Sequence, residues 1–168
     1  DRYPLDELSD SSFWKTENDA MMAVTDIYGC LPTWDQDEDI NSDNAVHGIK
    51  WAAGNISKGI YDPMDQSWAG SYTPIRQCNL VLEKVKDMSD ESRKKIEGQA
   101  YFFRAFVYFN LIRSFGDVPY IDKPLNLTDV EDITRTPREE VYAKVMADFD
   151  KAIEYLPEEW DAANTPRV

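Results

Sequence analysis

The chain has 168 residues, enough for one sizeable core, and carries 32 Asp and Glu against 18 Lys and Arg, a formal net charge of -14. That balance lacks the clustered cations needed to release counterions from a phosphate backbone, which excludes nucleic acid as the expected partner, and it offers no basic patch for an anionic bilayer. No apolar run reaches the roughly 20 residues that a membrane-spanning helix needs.

The first predicted element is a helix from Glu17 to about Tyr28. Thr16 stands as its N-cap with Asp19 at N3, Ala20, Val24, Ile27 and Leu31 mark one face, and Gly29 is the expected C-terminal cap before Pro32. From Thr33 to Gln66 no helical or strand period survives. Loops this long are usually functional or disordered, and Trp34, Trp51, Ile56 and Tyr61 favour an ordered one.

Trp68, Tyr72, Ile75, Cys78, Leu82 and Val85 recur at three and four, which predicts a second helix from Ser67 to Asp87, bent near Pro74. Ser89 and Asp90 cap a third. Between Ala100 and Ile112 its only strongly polar side chains are Arg104 and Asn110, so neighbours must cover it on several sides, until Gly116 closes it in a left-handed cap and Pro119 forbids its continuation. A turn as short as the one after Asp87 sets the second and third helices antiparallel. Buried polar groups need partners, so Arg104 should meet a carboxylate and Asn79 a backbone group of another segment. Thr136, Pro137 and Glu139 supply cap, N1 proline and N3 acid for a fourth helix, whose buried stripe is Val141, Val145, Phe149, Ala152 and Leu156, ending before Pro157. The fold class is all-α, built from antiparallel helix pairs of tetratricopeptide-like size, with a long ordered loop after the first helix.

Several stretches in fixed order give this chain a family likeness: Pro4 to Trp14 with its Ser-Phe-Trp, Ala23 to Leu31 around Tyr28, Trp68-x3-Tyr-x2-Ile-x3-Asn79, Glu97 to Tyr120, and Arg135 to Pro157 with Thr-Pro-Arg-Glu-Glu-Val-Tyr and Ala-Ile-Glu-Tyr-Leu-Pro. Together they resemble the SusD/RagB family of outer-membrane nutrient-binding lipoproteins. The resemblance implies that residues 1–168 are a single N-terminal helical domain of a longer protein. It also implies that a lipid-bearing cysteine lies upstream of Asp1, and that the protein is anchored on the cell-surface face of the outer membrane. Its implied partners are an oligosaccharide or polysaccharide and a SusC-like TonB-dependent transporter; its implied activity is non-catalytic capture and delivery. A helical-repeat adaptor that binds proteins is the alternative.

The residues themselves favour binding over catalysis. His47 is the one histidine, no Gly-x-Ser-x-Gly elbow is present, and an abundance of carboxylates places some pair at glycosidase distance by chance. Asp35 to Asn41 begins like an EF-hand loop, but Ile40 stands where glycine is needed and Val46 where the bidentate Glu is needed. A solvated acidic loop is the better reading and an irregular calcium site the alternative; no cofactor is expected. Cys30 and Cys78 sit at helical spacing among apolar residues and are expected to be buried free thiols. Trp14 and Trp68 are expected in the core. Trp51 and Trp34 can stack on sugar faces while Asn55, Asp43 and Asn44 hydrogen-bond hydroxyls, and these five form the candidate glycan site.

Overall fold

The computed structural model describes residues 13–31, 59, 68–126, 129, 132–160 and 167–168. These form four helices, α1 Glu17–Ile27, α2 Trp68–Lys84, α3 Asp90–Phe115 and α4 Arg138–Tyr155, and no strand is present among them beyond a single antiparallel bridge between Val118 and Thr136. The all-α expectation holds.

Helix α1 begins with the predicted capping box. The Thr16 hydroxyl accepts from Asp19 N at 3.2 Å and the Asp19 carboxylate accepts from Thr16 N at 2.8 Å, which holds that carboxyl below its usual range. Gly29 is not its left-handed cap. The chain tightens instead into a 3-10 turn over Tyr28–Cys30, and only Gly59 and Gly116 have positive φ among the described glycines. Helix α2 ends earlier than predicted, at Lys84, and runs through Pro74, whose missing N–H removes the usual partner of the Gly70 carbonyl.

Ser89 occupies the N-cap position of α3, but its hydroxyl bonds the Ser92 hydroxyl at 3.2 Å rather than a backbone N–H. Ser92 in turn donates to Glu17, tying the start of α3 to α1. At the far end Gly116 adopts φ 69° and ψ -115°, outside the left-handed helical region and open only to glycine. The start of α4 differs from the prediction. Thr136 is spent on the bridge to Val118, Pro137 takes the N-cap position, and the free Arg138 N–H donates to the Asp117 carboxylate at 2.9 Å. A proline at the cap has no side-chain acceptor, so the residue following α3 supplies one.

Helix α3 is the spine and packs against α1, α2 and α4. One buried cluster joins Ala20, Val24 and Ile27 of α1 to Cys78 and Val81 of α2 and Ile96, Ala100 and Phe103 of α3. The other joins Ile75 to Ala105, Tyr108 and Leu111, and to Val141 and Val145 of α4. Leu156 lies so close to Gly98 that an added Cβ would stand 2.9 Å from it. Between the clusters Arg104 lies almost wholly buried, with Asp148 Oδ2 at 2.7 Å from Nε, Asp148 Oδ1 at 2.8 Å from Nη2, and Asn79 Oδ1 at 2.8 Å from Nη1. The Asn79 amide then donates to the Ile121 carbonyl at 2.9 Å. Both polar expectations for this helix pair are met, and the carboxylate is Asp148.

Phe103 is fully buried and Phe106 half-buried. We expect Phe103→Ala to lose about 3 to 5 kcal/mol in urea unfolding and Phe106→Ala clearly less; equal losses would contradict the packing. Asp148→Ala should cost about 3 to 5 kcal/mol by stranding a buried cation, while the double change Arg104→Met with Asp148→Leu should recover much of it. A double-variant loss equal to the sum of the singles would show that the two side chains act independently.

Candidate functional site

The five residues expected to bind glycan, Trp34, Asp43, Asn44, Trp51 and Asn55, lie outside the described residues, as do His47 and the acidic run Asp35 to Asn41. Their anchor points are described. The chain departs after Leu31, next to Cys30, and returns at Trp68, two residues before Gly70. Cys30 and Gly70 line one groove of about 870 Å3 between the end of α1, the start of α2 and the second half of α3.

The groove carries three rings, Phe106, Phe109 and Phe115, beside Asp26, Gln77 and Asn110. Phe109 keeps 42% of its surface exposed although it sits on the most deeply buried helix. Asn110 donates to the Phe106 carbonyl at 3.1 Å, a local bond that leaves its amide oxygen as an acceptor. Pro74 and Gly70 share the groove wall. Rings beside amide, hydroxyl and charged groups, Asp26 and Arg113 among them, suit a ligand with both apolar faces and polar edges. The sequence reading missed this surface. Its one signal was that Phe109, Asn110 and Arg113 break the otherwise buried pattern of α3 on one side.

Other candidates fall into structural places. Trp68 packs edge-on against Phe115 with centroids 4.8 Å apart and carries the Arg135 guanidinium 5.0 Å from its ring, half-buried at the core margin. Trp14 borders the first cluster with φ 62°, a rare conformation for a bulky residue, just before the α1 cap. Trp160 donates to the Val168 carbonyl at 2.7 Å. Arg167 and Val168 return to α1 and α3, where Val168 N donates to the Tyr28 hydroxyl at 2.9 Å and that hydroxyl donates to buried Gln99 at 3.0 Å.

Arg104 is fully used by Asp148 and Asn79; burial opposes its charge, but the bonds and charge of Asp148 outweigh that and hold it above its ordinary range. Burial raises the Glu97 carboxyl, with Arg93 and Lys151 pulling the other way and Asp90 adding to the rise. Cys78 is buried as expected and burial raises its thiol far above the usual value; Cys30 is only half-buried, a departure from the expectation, because it sits on the groove wall, and its thiol is raised as well. No group of three His, Cys, Asp or Glu that could hold a metal occurs among the described residues.

A family profile described as starch-binding and associating with the outer membrane matches residues 5–168. The chain belongs to the SusD-like family. It is 30% identical over 172 aligned residues to SusD-like protein P2 of Formosa agariphila, covering 92% of this chain and 34% of that protein. A SusD-like protein of known crystal structure from Bacteroides fragilis superposes with a TM-score of 0.85 at 27% identity, covering 99% of this chain and 35% of that one. A SusD-like carbohydrate-binding protein from the same species, at 22% identity and a TM-score of 0.78 over 94% of this chain and 35% of its own, shares the fold. This SusD-like chain thus spans about a third of the length of the relatives it matches.

Two thiols with raised pKa react slowly as nucleophiles at neutral pH. In native protein at pH 7, iodoacetamide should modify Cys30 slowly and Cys78 only after denaturant is added. Rapid labelling of Cys78 without denaturant would mean that the first core cluster is open.

Proposed function

We propose that this SusD-like chain is the N-terminal part of a non-catalytic glycan-binding protein, lipid-anchored on the outer face of the outer membrane, that passes bound saccharide to a SusC-like TonB-dependent transporter. The observation that carries this reading is the family match across residues 5–168 to proteins described as starch-binding and associating with the outer membrane. The groove supports it, since its rings and polar groups offer stacking and hydrogen bonds. In this reading Trp51 and Trp34 stack on sugar rings, and Asn55, Asp43 and Asn44 bond hydroxyls, from a segment that departs from and returns to the groove rim.

The adaptor reading keeps one observation in its favour. Tyr142, Met146 and Ile153 form an exposed apolar stripe on α4, with 50%, 43% and 79% of their surfaces accessible.

Isothermal titration of the full chain against starch and laminarin oligosaccharides tests the two. Binding should appear, and Trp51→Ala should weaken it by about 1 to 3 kcal/mol with little change in melting temperature. No binding to any glycan in a broad array, with capture of a soluble protein through the α4 stripe, would favour the adaptor. Affinity lost only in step with folding would make Trp51 part of the scaffold.

A further inference from the structure

Helix α4 carries two apolar seams. Val141, Val145 and Ala152 are buried with Asp148 against α3, whereas Tyr142, Met146 and Ile153 are exposed. Phe149 completes this second set at spacings of four, three and four, which keeps the four side chains within about 60° of one another around the helix. Phe149 is half-buried and meets Phe102 of α3 with centroids 6.0 Å apart, and Phe102 stacks on Phe106 at 6.3 Å with the ring planes 13° apart. Phe102, Phe106 and the exposed Phe109 in turn share one face of α3 at spacings of four and three. The two stripes therefore adjoin and make one apolar platform across the α3–α4 pair. Phe106 and Phe109 line the groove as well, so platform and groove meet along this ridge.

Single exposed apolar side chains are ordinary on a surface, but a contiguous stripe on two packed helices is not. Charges stand around it: Glu139, Asp150 and Glu154 border its outer side, with Glu139 paired to Arg138 at 3.2 Å, and Arg113 follows one turn after Phe109. In stacked arrays of helix pairs each pair covers an apolar face of the pair before it, and the array ends where a pair presents a polar outer face. An apolar outer face thus belongs to a pair inside an array. The last described residues of this chain lie elsewhere. Val168 N donates to the Tyr28 hydroxyl, and Arg167 donates to Gln99 at 3.3 Å and Thr25 at 3.1 Å, which puts both residues against α1 and the neighbouring side of α3. This chain covers 35% of the Bacteroides fragilis protein on which it superposes at a TM-score of 0.85, which leaves the greater part of such a protein to supply the cover.

Resting on the reading above that this chain is the N-terminal part of a longer protein, we infer that the platform is the docking face for the next helix pair of that same protein, encoded beyond Val168. The covering helix lays apolar residues, at its own spacing of three and four, on Tyr142, Met146 and Ile153. Because Phe109 belongs to both surfaces, that helix also stands beside the groove and forms part of its rim.

The test uses the full-length protein with the photoreactive residue benzoylphenylalanine in place of Tyr142, irradiated at several dilutions, with the crosslinked peptides identified by mass spectrometry. A crosslink within one polypeptide from position 142 to residues beyond Val168, unchanged on dilution, is expected. Ile153→Glu should also lower the melting temperature by about 3 °C or more, because the new charge lies under the covering helix. A shift below about 1 °C with no crosslink from position 142 overturns the inference, since a solvated Ile153 tolerates the change. Crosslinks to a second copy, fading on dilution, or to a different protein overturn it too. The intact mass of the natural protein separates this failure from that of the reading beneath it. A mass no greater than that of this chain overturns both, whereas a longer protein that forms no such internal crosslink overturns the docking face alone.

Discussion

A cation in the middle of the most deeply buried helix governs this structure. Arg104 cannot remain buried without partners, and its fork takes both oxygens of Asp148 from α4 and the amide oxygen of Asn79 from α2. Asn79 uses its amide N–H on the Ile121 carbonyl, and the Tyr108 hydroxyl accepts from Ile121 N at 2.7 Å and donates to the same carbonyl at 3.1 Å. Three helices and a crossing segment therefore share one connected set, and no buried side-chain polar atom among the described residues lacks a partner. Apolar burial has no direction, so a helix displaced by one turn would keep much of its contact area. It would not keep the fork. The polar set fixes a register that Phe103, Val107 and Leu111 alone leave open.

That register fixes the path of the chain after α3. Once Ile121 is held under Tyr108, the segment from Asp117 to Tyr120 must cross the end of α2, where the Tyr72 hydroxyl donates to the Pro119 carbonyl at 3.0 Å. Asp117 is thereby placed to accept from Arg138 N, and its own carbonyl accepts from Arg135 at 3.0 Å. Arg135 then covers the Trp68 ring, which seats the first residue of α2 against Phe115. One buried ion pair is linked in this way, through hydrogen bonds and ring contacts, to the rim where the described part of α2 begins.

Much of the frame was legible from spacing. The stripes at three and four gave every described helix, and the density of apolar residues from Ala100 to Ile112 named the spine, because burial on all sides leaves no polar face to write into the sequence. Arg104 and Asn79 stood out for the same reason: they interrupt a pattern that tolerates few interruptions. Caps at a distance were not legible. Asp117 serves α4 from another element, and sequence reasoning that looks only at the residues before a helix assigned that task to Thr136. Nor could spacing find the groove, since its wall comes from three helices and Phe109 and Cys30 look like core residues until the neighbours are placed. The five residues chosen for sugar contact fall outside the described residues.

A frame of this kind separates stability from recognition. The described members of the buried clusters and the Arg104 set lie within α1 to α4, the turn after α2 and the crossing after α3, while residues 32–58 and 60–67 form the long segment outside the described residues. Cys30 and Gly70, near the two ends of that segment, line the same groove, so closing the intervening chain is a local matter whose entropic cost rises only slowly with length. A fold shared at 22% identity shows that a frame of this kind tolerates wide change in sequence.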